Sequence, residues 1–380
     1  VTRTAHKVLA LNVLAFTICF AAWMLNGVLV TFLVDNQIFA WSSVQIGWLL
    51  GIPVLTGSIF RLPAGILTDK FGGKWVFSIL LLLCSIPMFL LSMADDFFSF
   101  ALCSLGFGFT GVGFAVGIAF TSVWYPKKWQ GTALGIFGTG NAGAALTTLI
   151  APTLLKKFTQ NGINLEGWRQ LPQVYAAILF MTGVVFLLFA NNKTIGGVAR
   201  TLPEMLRPLK EIRVWRLGLY YYLVFGCFVA LSQWLVPYYL NMYAVSLITA
   251  GLLASLFSFP SGIIRALGGW LSDQLGARQV MYWILGLSTL CCFLLIFPKM
   301  EIFSPGEGIM AKRGGTVTFI SDSLIKIDDM EYSLIATASK ESDSAMAESF
   351  SAFPQKKMWQ EILVKTGDKV VFGKYSGNEV

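Results

Sequence analysis

Charge is what this sequence has least of. Asp, Glu, Lys and Arg make up 13% of its 380 residues, while hydrophobic residues make up 56%. Soluble domains carry roughly 25% charged residues, so this composition excludes an ordinary water-soluble globule. Histidine is nearly absent, with His6 alone at the start of the chain. The six cysteines (Cys19, Cys84, Cys103, Cys227, Cys291 and Cys292) all fall in apolar runs. None has metal-ligand spacing or forms part of a disulfide framework, so they read as small packing residues and no metal or cofactor is expected.

Long apolar runs are what the sequence has in their place. Runs of about 20 residues, enough to span a bilayer, lie near 8–34, 46–68, 75–93, 97–125, 130–155, 172–191, 217–240, 247–272 and 279–298. The first has no small-residue cleavage site and leads directly into further spans, so it reads as a helix rather than a signal peptide. The nine runs contain no Asp or Glu.

Basic residues alternate between connections. Arg3 and Lys7 precede the first run. The connections 69–74, 127–128 and 192–216 hold Lys70, Lys74, Lys127, Lys128, Lys193, Arg200, Arg207, Lys210, Arg213 and Arg216, whereas 35–45, 94–97 and 241–246 hold no Lys or Arg. The positive-inside rule puts the amino terminus and the loop after the sixth helix in the cytoplasm. The connection 156–171 departs from the pattern with Lys156, Lys157 and Arg169.

One stretch occurs twice. GSIFRLPAGILTDKFGGKWV (57–76) and SGIIRALGGWLSDQLGARQV (261–280) align at an offset of 204 residues. Arg61, Gly65, Asp69 and Gly72 match Arg265, Gly269, Asp273 and Gly276. A charge at the bilayer centre costs about 2.5–3.5 kcal/mol on insertion scales, so an intramembrane arginine in register twice is a functional signal. Parallel repeats joined by a basic loop place these segments as helices two and eight, with a transport site between the halves near the midplane.

GILTDKFGGKW (65–75) resembles the loop motif between helices two and three of the major facilitator superfamily, and GWLSDQLGAR (269–278) its weaker echo after helix eight. Within that superfamily, WYPKKWQGTALGIFGTGNAG (124–143) resembles the glycine-and-asparagine signature of the nitrate/nitrite porters. FSFPSGIIRALGGWLSDQLG (257–276) and YYLVFGCFVALS (221–232) are similar to that family's eighth and seventh helices. The resemblance covers residues 8–298. It implies a transporter rather than an enzyme, a monomer in the bacterial inner membrane that moves nitrate and nitrite. The superfamily has twelve helices, so a chain with nine, lacking the second glycine-asparagine copy, reads as a fragment of a larger porter.

The residues support an anion site of their own accord. Nitrate is planar, singly charged and rich in acceptors, and a guanidinium is planar, always charged and forked. Arg61 and Arg265, facing each other across the pseudo-two-fold axis, suit such an anion. The alternative, a gate locked by pairing with a carbonyl or carboxylate, finds no acid in the nine runs. By resemblance, Phe114 and Phe225 are the family's aromatic pair enclosing the substrate, and Tyr221 matches a tyrosine whose hydroxyl donates to it. Without the resemblance they are ordinary members of a phenylalanine-rich chain.

Gly138, Gly140 and Gly143 spell G-x-G-x-x-G, but no strand precedes them and the next acid is Glu166, so a dinucleotide site is excluded. Gly131, Gly135, Gly138, Gly140 and Gly143 suit close helix packing. Asn141 either bonds across helices or offers its amide to the anion. Asp69, with Gly65, Gly72, Gly73 and Lys74 around it, is expected just beyond a helix end as a gating acid. Asp273 is expected in the same place, as a gating or a solvated loop acid. With no acid in the spans, exchange of nitrate for nitrite needs no titratable group, although a proton travelling with the substrate stays open.

The expected fold is therefore an all-α polytopic membrane protein of major-facilitator type. It comprises a six-helix bundle (1–191), a basic linker (192–216), a partial second bundle (217–298) and a small β-rich soluble tail (299–380). The tail resembles the insertion some porters of this family carry after helix nine, and its PGEGIMA (305–311) and KTGDKV (365–370) segments resemble biotinyl/lipoyl half-barrels. Lys312 sits in Ala-Lys-Arg, which is not the surroundings of a modified lysine, and Asp328–Asp329 marks a turn. The last stretch, VKTGDKVVFGKYSGNEV, also resembles the small co-chaperonin, of which it would be an incomplete copy. Partners are a small inorganic anion and lipid, not nucleic acid. Two other functions remain open: a porter for another small anion, and a non-transporting membrane sensor or anchor. The charge pattern is directly testable. A cysteine replacing Lys128 is expected to react with an impermeant maleimide only from the cytoplasmic side, and one replacing Asn36 only from the other; the reverse labelling overturns the orientation.

Overall fold

The computed structural model describes residues 2–194, 202–243 and 245–294, together with short strand segments beyond them. Among the described residues nine helices are long and apolar enough to cross a membrane. They are α1 (Arg3–Asp35), α2 (Ser43–Phe71), α3 (Gly73–Met93), α4 (Phe97–Trp124), α5 (Lys127–Phe158), α6 (Leu165–Phe189), α7 (Ile212–Tyr243), α8 (Leu247–Leu275) and α9 (Ala277–Leu294). They follow the nine apolar runs, and α2 and α8 extend past the carboxyl ends of theirs.

That extension corrects one expectation. Asp69 and Asp273 lie inside α2 and α8, not beyond their ends. Backbone hydrogen bonding does not require apolar side chains, so both helices continue into polar sequence until a glycine stops them. Gly72 and Gly276 have φ of 85° and 88°, the left-handed conformation that ends helices and that a Cβ disfavours.

α1 lies at the centre of the helical unit. From Ala15 to Leu33 nearly every side chain is buried, whichever way it points. In an apolar interior each backbone group needs a partner, and proline removes one. Pro53 has no N–H for the Leu49 carbonyl four residues before it. Asn26 of α1 supplies the donor: its Nδ2 reaches the Leu49 carbonyl at 2.7 Å and Ser104 Oγ of α4 at 2.9 Å. One buried amide thereby joins three helices. Two similar ties hold the rest of α1. Asn12 donates to Thr121 Oγ1 of α4 at 3.0 Å. Thr147 of α5 donates to the Ala21 carbonyl at 2.8 Å and meets the Tyr175 hydroxyl of α6 at 2.9 Å.

Arg169, one of the basic residues that depart from the charge pattern, lies in the first turns of α6 and has a structural role. Arg169 Nε pairs with Glu166 Oε2 at 2.6 Å and its Nη2 with Asp95 Oδ1 at 2.7 Å. Its Nη1 donates to the carbonyls of Ser92 and Ala94 at 3.0 and 3.2 Å. Two acids neutralise it, and it clasps the α3–α4 turn to the start of α6.

The chain divides into two compact units. One comprises Val1–Pro237 and Leu247–Leu285, the other Tyr238–Ser246 and Gly286–Val380. Within the first unit α8 packs along α5. The second unit contains strands β1 (Ile302–Pro305), β2 (Gly315–Ser321), β3 (Leu324–Ile327), β4 (Met330–Ser333), β5 (Lys356–Trp359), β6 (Lys369–Val371) and β7 (Lys374–Tyr375). β1 pairs with β5 in parallel, and the remaining five are ordered β4-β3-β2-β6-β7. Lys312 and Asp328–Asp329 lie outside the described residues.

Replacing Asn26 by Leu tests the amide tie. It strands the Leu49 carbonyl and the Ser104 hydroxyl, each an unpaired buried group worth about 1–3 kcal/mol. The melting temperature in detergent is expected to fall clearly; an unchanged value overturns this account.

Candidate functional site

The site begins with a break in α2. Pro63 offers no N–H to the Ile59 carbonyl, and the helix is interrupted at Phe60, with Arg61 opening the next segment. Arg61 Nη1 donates to Tyr221 Oη of α7 at 3.2 Å. Its guanidinium carbon lies 4.9 Å from the Phe225 ring centroid, 5.5 Å from Trp23, 5.8 Å from Phe114 and 6.0 Å from Tyr221. Arg265 of α8 meets the same Phe225 ring at 5.7 Å and Phe228 at 5.4 Å. The two repeat-related arginines are thus brought to one aromatic side chain from two different helices.

Neither guanidinium has an ion pair among the described residues. Their Nε atoms are buried without a hydrogen-bond partner. Aromatic faces are negative at the centre and attract a cation, by roughly 0.5–2 kcal/mol per ring. They hold the charges without neutralising them, leaving donors unspent.

The sequence led to an aromatic pair enclosing a flat substrate, and the rings are arranged differently. Phe114 and Phe225 stack on each other at 5.2 Å and 20°, Tyr221 and Phe225 at 4.9 Å and 13°, and Phe114 and Tyr221 at 5.8 Å and 23°. A planar anion between two ring faces needs about 7 Å, two contacts of roughly 3.5 Å. The three rings therefore form one closed, near-parallel cluster beside the guanidiniums in this conformation. A π-helical turn over Tyr222–Gly226 gives α7 an extra residue between Tyr221 and Cys227, the kind of local defect that concentrates at functional sites.

The glycine run of α5 faces two ways. A Cβ at Gly131 would stand 2.8 Å from the Gly269 carbonyl oxygen, and one at Gly135 3.0 Å from Gly269 Cα. At Gly138 it would meet Arg265 Cδ at 3.2 Å, so this glycine makes room for the stem of the second arginine. Gly140 and Gly143 face α1 instead, at Phe16 and at the backbone of Thr17 and Ala21. Asn141 is fully buried, but its Nδ2 donates to the Gly138 carbonyl of its own helix at 2.8 Å. This corrects the cross-helix bond: a tight 3₁₀ turn over Thr139–Ala142 brings that carbonyl within reach. Its Oδ1 is buried and unpartnered.

Asp273 does more than its degenerate motif suggested. Its Oδ1 accepts from the Gly131 N–H at 2.9 Å, and its Oδ2 from the Thr132 N–H and hydroxyl, both at 2.6 Å. A carboxylate from α8 so sits at the amino end of α5, where the helix dipole favours negative charge. Around Asp69, Gly72 closes on Asn192 and Gly73 on Phe120. Lys74 Nζ lies 5.7 Å from the Trp75 ring, and a Cβ at Gly65 would meet nothing within 4 Å. Sequence reasoning missed Trp23, Phe228 and Gln233. Gln233, a polar amide in an apolar run, was the one signal available.

Comparison with known proteins shows the family of the chain. The family model described as Major Facilitator Superfamily matches residues 11–306. A probable nitrate/nitrite antiporter NarK1 from Thermus thermophilus is 42% identical over 301 residues, 78% of this chain and 68% of that protein. A nitrite extrusion protein from Bacillus subtilis (strain 168) is 27% identical over 82% of this chain and 76% of its own. Among solved structures, an inward-facing, unoccupied bacterial homolog of the human lysosomal transporter Spinster matches with a TM-score of 0.53 at 19% identity. That match covers 73% of this chain, which spans 64% of the Spinster homolog's length. The chain belongs to the major facilitator superfamily, a superfamily of secondary transporters and not of enzymes, and within it to the nitrate/nitrite porters.

The α5–α8 seam makes a testable demand. Gly135→Val is expected to force the helices apart and to expose a cysteine placed at Thr132 to maleimide, while Gly65→Val leaves its labelling unchanged. Equal labelling in both variants overturns the seam.

Proposed function

We propose that this superfamily member moves nitrate and nitrite across the bacterial inner membrane by alternating access, one anion at a time held by Arg61 and Arg265. The observation that carries the reading is the pair of half-buried arginines on one phenylalanine, their Nε atoms buried and unpartnered and neither with an acidic partner among the described residues. A trigonal anion with three acceptor oxygens offers each fork a flat edge and supplies the missing negative charge. Tyr221 donates to the bound oxygen in addition, and Phe225 backs the anion from one side. When the site is empty the two cations repel in a low dielectric, so the halves close around them only once an anion is bound.

The remaining candidate residues act on the motion. Asp273 and the α5–α8 glycine seam hold one end of the halves together, and Asp69 with Gly72, Gly73 and Lys74 serves the matching segment of the first repeat. Asn141, beside the glycines that touch Arg265, acts in the movement of α5 against its neighbour during alternating access. Exchange of one anion for another accounts for transport through apolar runs that contain no acid, Asp69 and Asp273 lying in the polar ends of α2 and α8. The basic end faces the cytoplasm and the porter works as a monomer.

Counterflow of nitrate and nitrite in proteoliposomes tests the proposal. Arg61→Lys and Arg265→Lys each replace a fork by a point charge, and uptake is expected to fall by about two orders of magnitude, since losing one side of a buried charged contact costs roughly 2–5 kcal/mol. Phosphate and sulfate, being tetrahedral, are expected not to compete. Full activity in both variants overturns the arginine clamp, and competition by phosphate points to a porter of another small anion.

A further inference from the structure

Trp23 touches the candidate site and belongs to no motif. It is 1% exposed. Its indole N–H donates to the Pro53 carbonyl of α2 at 2.7 Å, and its ring lies 5.5 Å from the Arg61 guanidinium. The ring is tightly enclosed. A Cβ at Gly57 would stand 2.9 Å from the indole nitrogen, and one at Gly111 of α4 would stand 2.7 Å from Cζ2. Two glycines thereby make room for an indole, and the indole leans on the arginine.

The backbone of the same residue does something separate. α1 is interrupted at Met24, where the Gly27 N–H bonds to the Met24 carbonyl at 3.2 Å. The Trp23 carbonyl is left to accept from Gln233 Nε2 of α7 at 3.3 Å. Gln233 packs on Gly27, where a Cβ would come within 2.9 Å of the Gln233 carbonyl oxygen. That oxygen lacks its usual helical donor, because the residue four further on is Pro237. Trp23 is thus held by its side chain to the helix that carries Arg61 and by its backbone to the helix that carries Tyr221 and Phe225.

We propose that Trp23 is a positioning residue for Arg61: its anchored indole sets the plane of the guanidinium, and its carbonyl bond to Gln233 links that setting to the stance of α7. Resting on the nitrate-porter reading, this deepens it by making the two jaws unequal. Arg61 is fixed by an anchored indole and a tyrosine hydroxyl. Arg265 leans on the phenyl faces of Phe225 and Phe228, with Gly138 at its stem and no hydrogen-bonded anchor shown among the described residues, and is the adjustable jaw. An anion therefore meets one preset fork before the second closes. α7 moving against α1 breaks or makes the Gln233 bond, and so alters the setting of Arg61 without touching it.

The test uses the full-length protein in proteoliposomes, with nitrate as the probe and folding checked by size-exclusion elution. Trp23→Phe keeps a ring face and loses the anchoring N–H. The KM for nitrate is expected to rise about tenfold, the scale of one buried hydrogen bond, with maximal rate within about twofold. A residue that only filled space would lower the maximal rate and leave KM alone. Gln233→Met keeps length and loses the amide; there the maximal rate is expected to fall about fivefold, again the scale of one hydrogen bond, at unchanged KM. This variant carries the test if Trp23→Phe does not fold. Wild-type KM in Trp23→Phe, or wild-type rate in Gln233→Met, overturns the inference while the porter reading stands, provided that Arg61→Lys lowers uptake by the expected roughly two orders of magnitude. No nitrate uptake by the wild type overturns both.

Discussion

Two half-buried guanidinium groups among apolar and aromatic side chains, with no ion pair among the described residues, are the constraint the rest of the helical unit answers to. Each costs about 2.5–3.5 kcal/mol to place at the centre of a bilayer, and among the described residues neither is repaid by a carboxylate. Ring faces take the place of acids: Trp23, Phe114, Tyr221 and Phe225 around Arg61, and Phe225 and Phe228 around Arg265. A ring quadrupole attracts a cation without cancelling its charge or occupying its forked donors. Carboxylates would have stabilised the arginines better and left nothing for a ligand to do.

The same interior has to satisfy the backbone, and it does so with few polar groups placed at the breaks. Pro53 leaves the Leu49 carbonyl, and Asn26 takes it. The break at Met24 leaves the Trp23 carbonyl, and Gln233 takes it. These amides join α1 to α2, α4 and α7, so the points where helices bend are also the points where they are tied together. Where helices approach most closely, as at Gly131, Gly135 and Gly269, no side chain intervenes. Such a seam depends on contact rather than on hydrophobic exclusion, which is absent in lipid, and a carboxylate at its end, Asp273, completes it.

How much was legible varies with the kind of information involved. The nine spans follow from length and hydropathy, because a bilayer imposes both on each segment independently of its neighbours. Arg61 and Arg265 stood out because a charge in an apolar run is conspicuous and because a repeat doubled it. The orientation of Phe114 and Phe225 was not legible, since a ring's stacking partner is set by another helix. Asp273 looked weak because its motif is degenerate, yet its partners are two backbone N–H groups and a hydroxyl that no pattern of side chains announces.

Sequence alone determined the membrane class, the number of spans among the described residues, the repeat and the two arginines, all of them properties of segments taken singly. Tertiary structure alone decided that both arginines share Phe225, that the rings stack rather than gape, that Asn141 turns back on its own helix, and that Trp23 stands behind Arg61. The physical reason is common to all four: they depend on distances between helices, and those are set by where glycine lets backbones touch and where proline bends them.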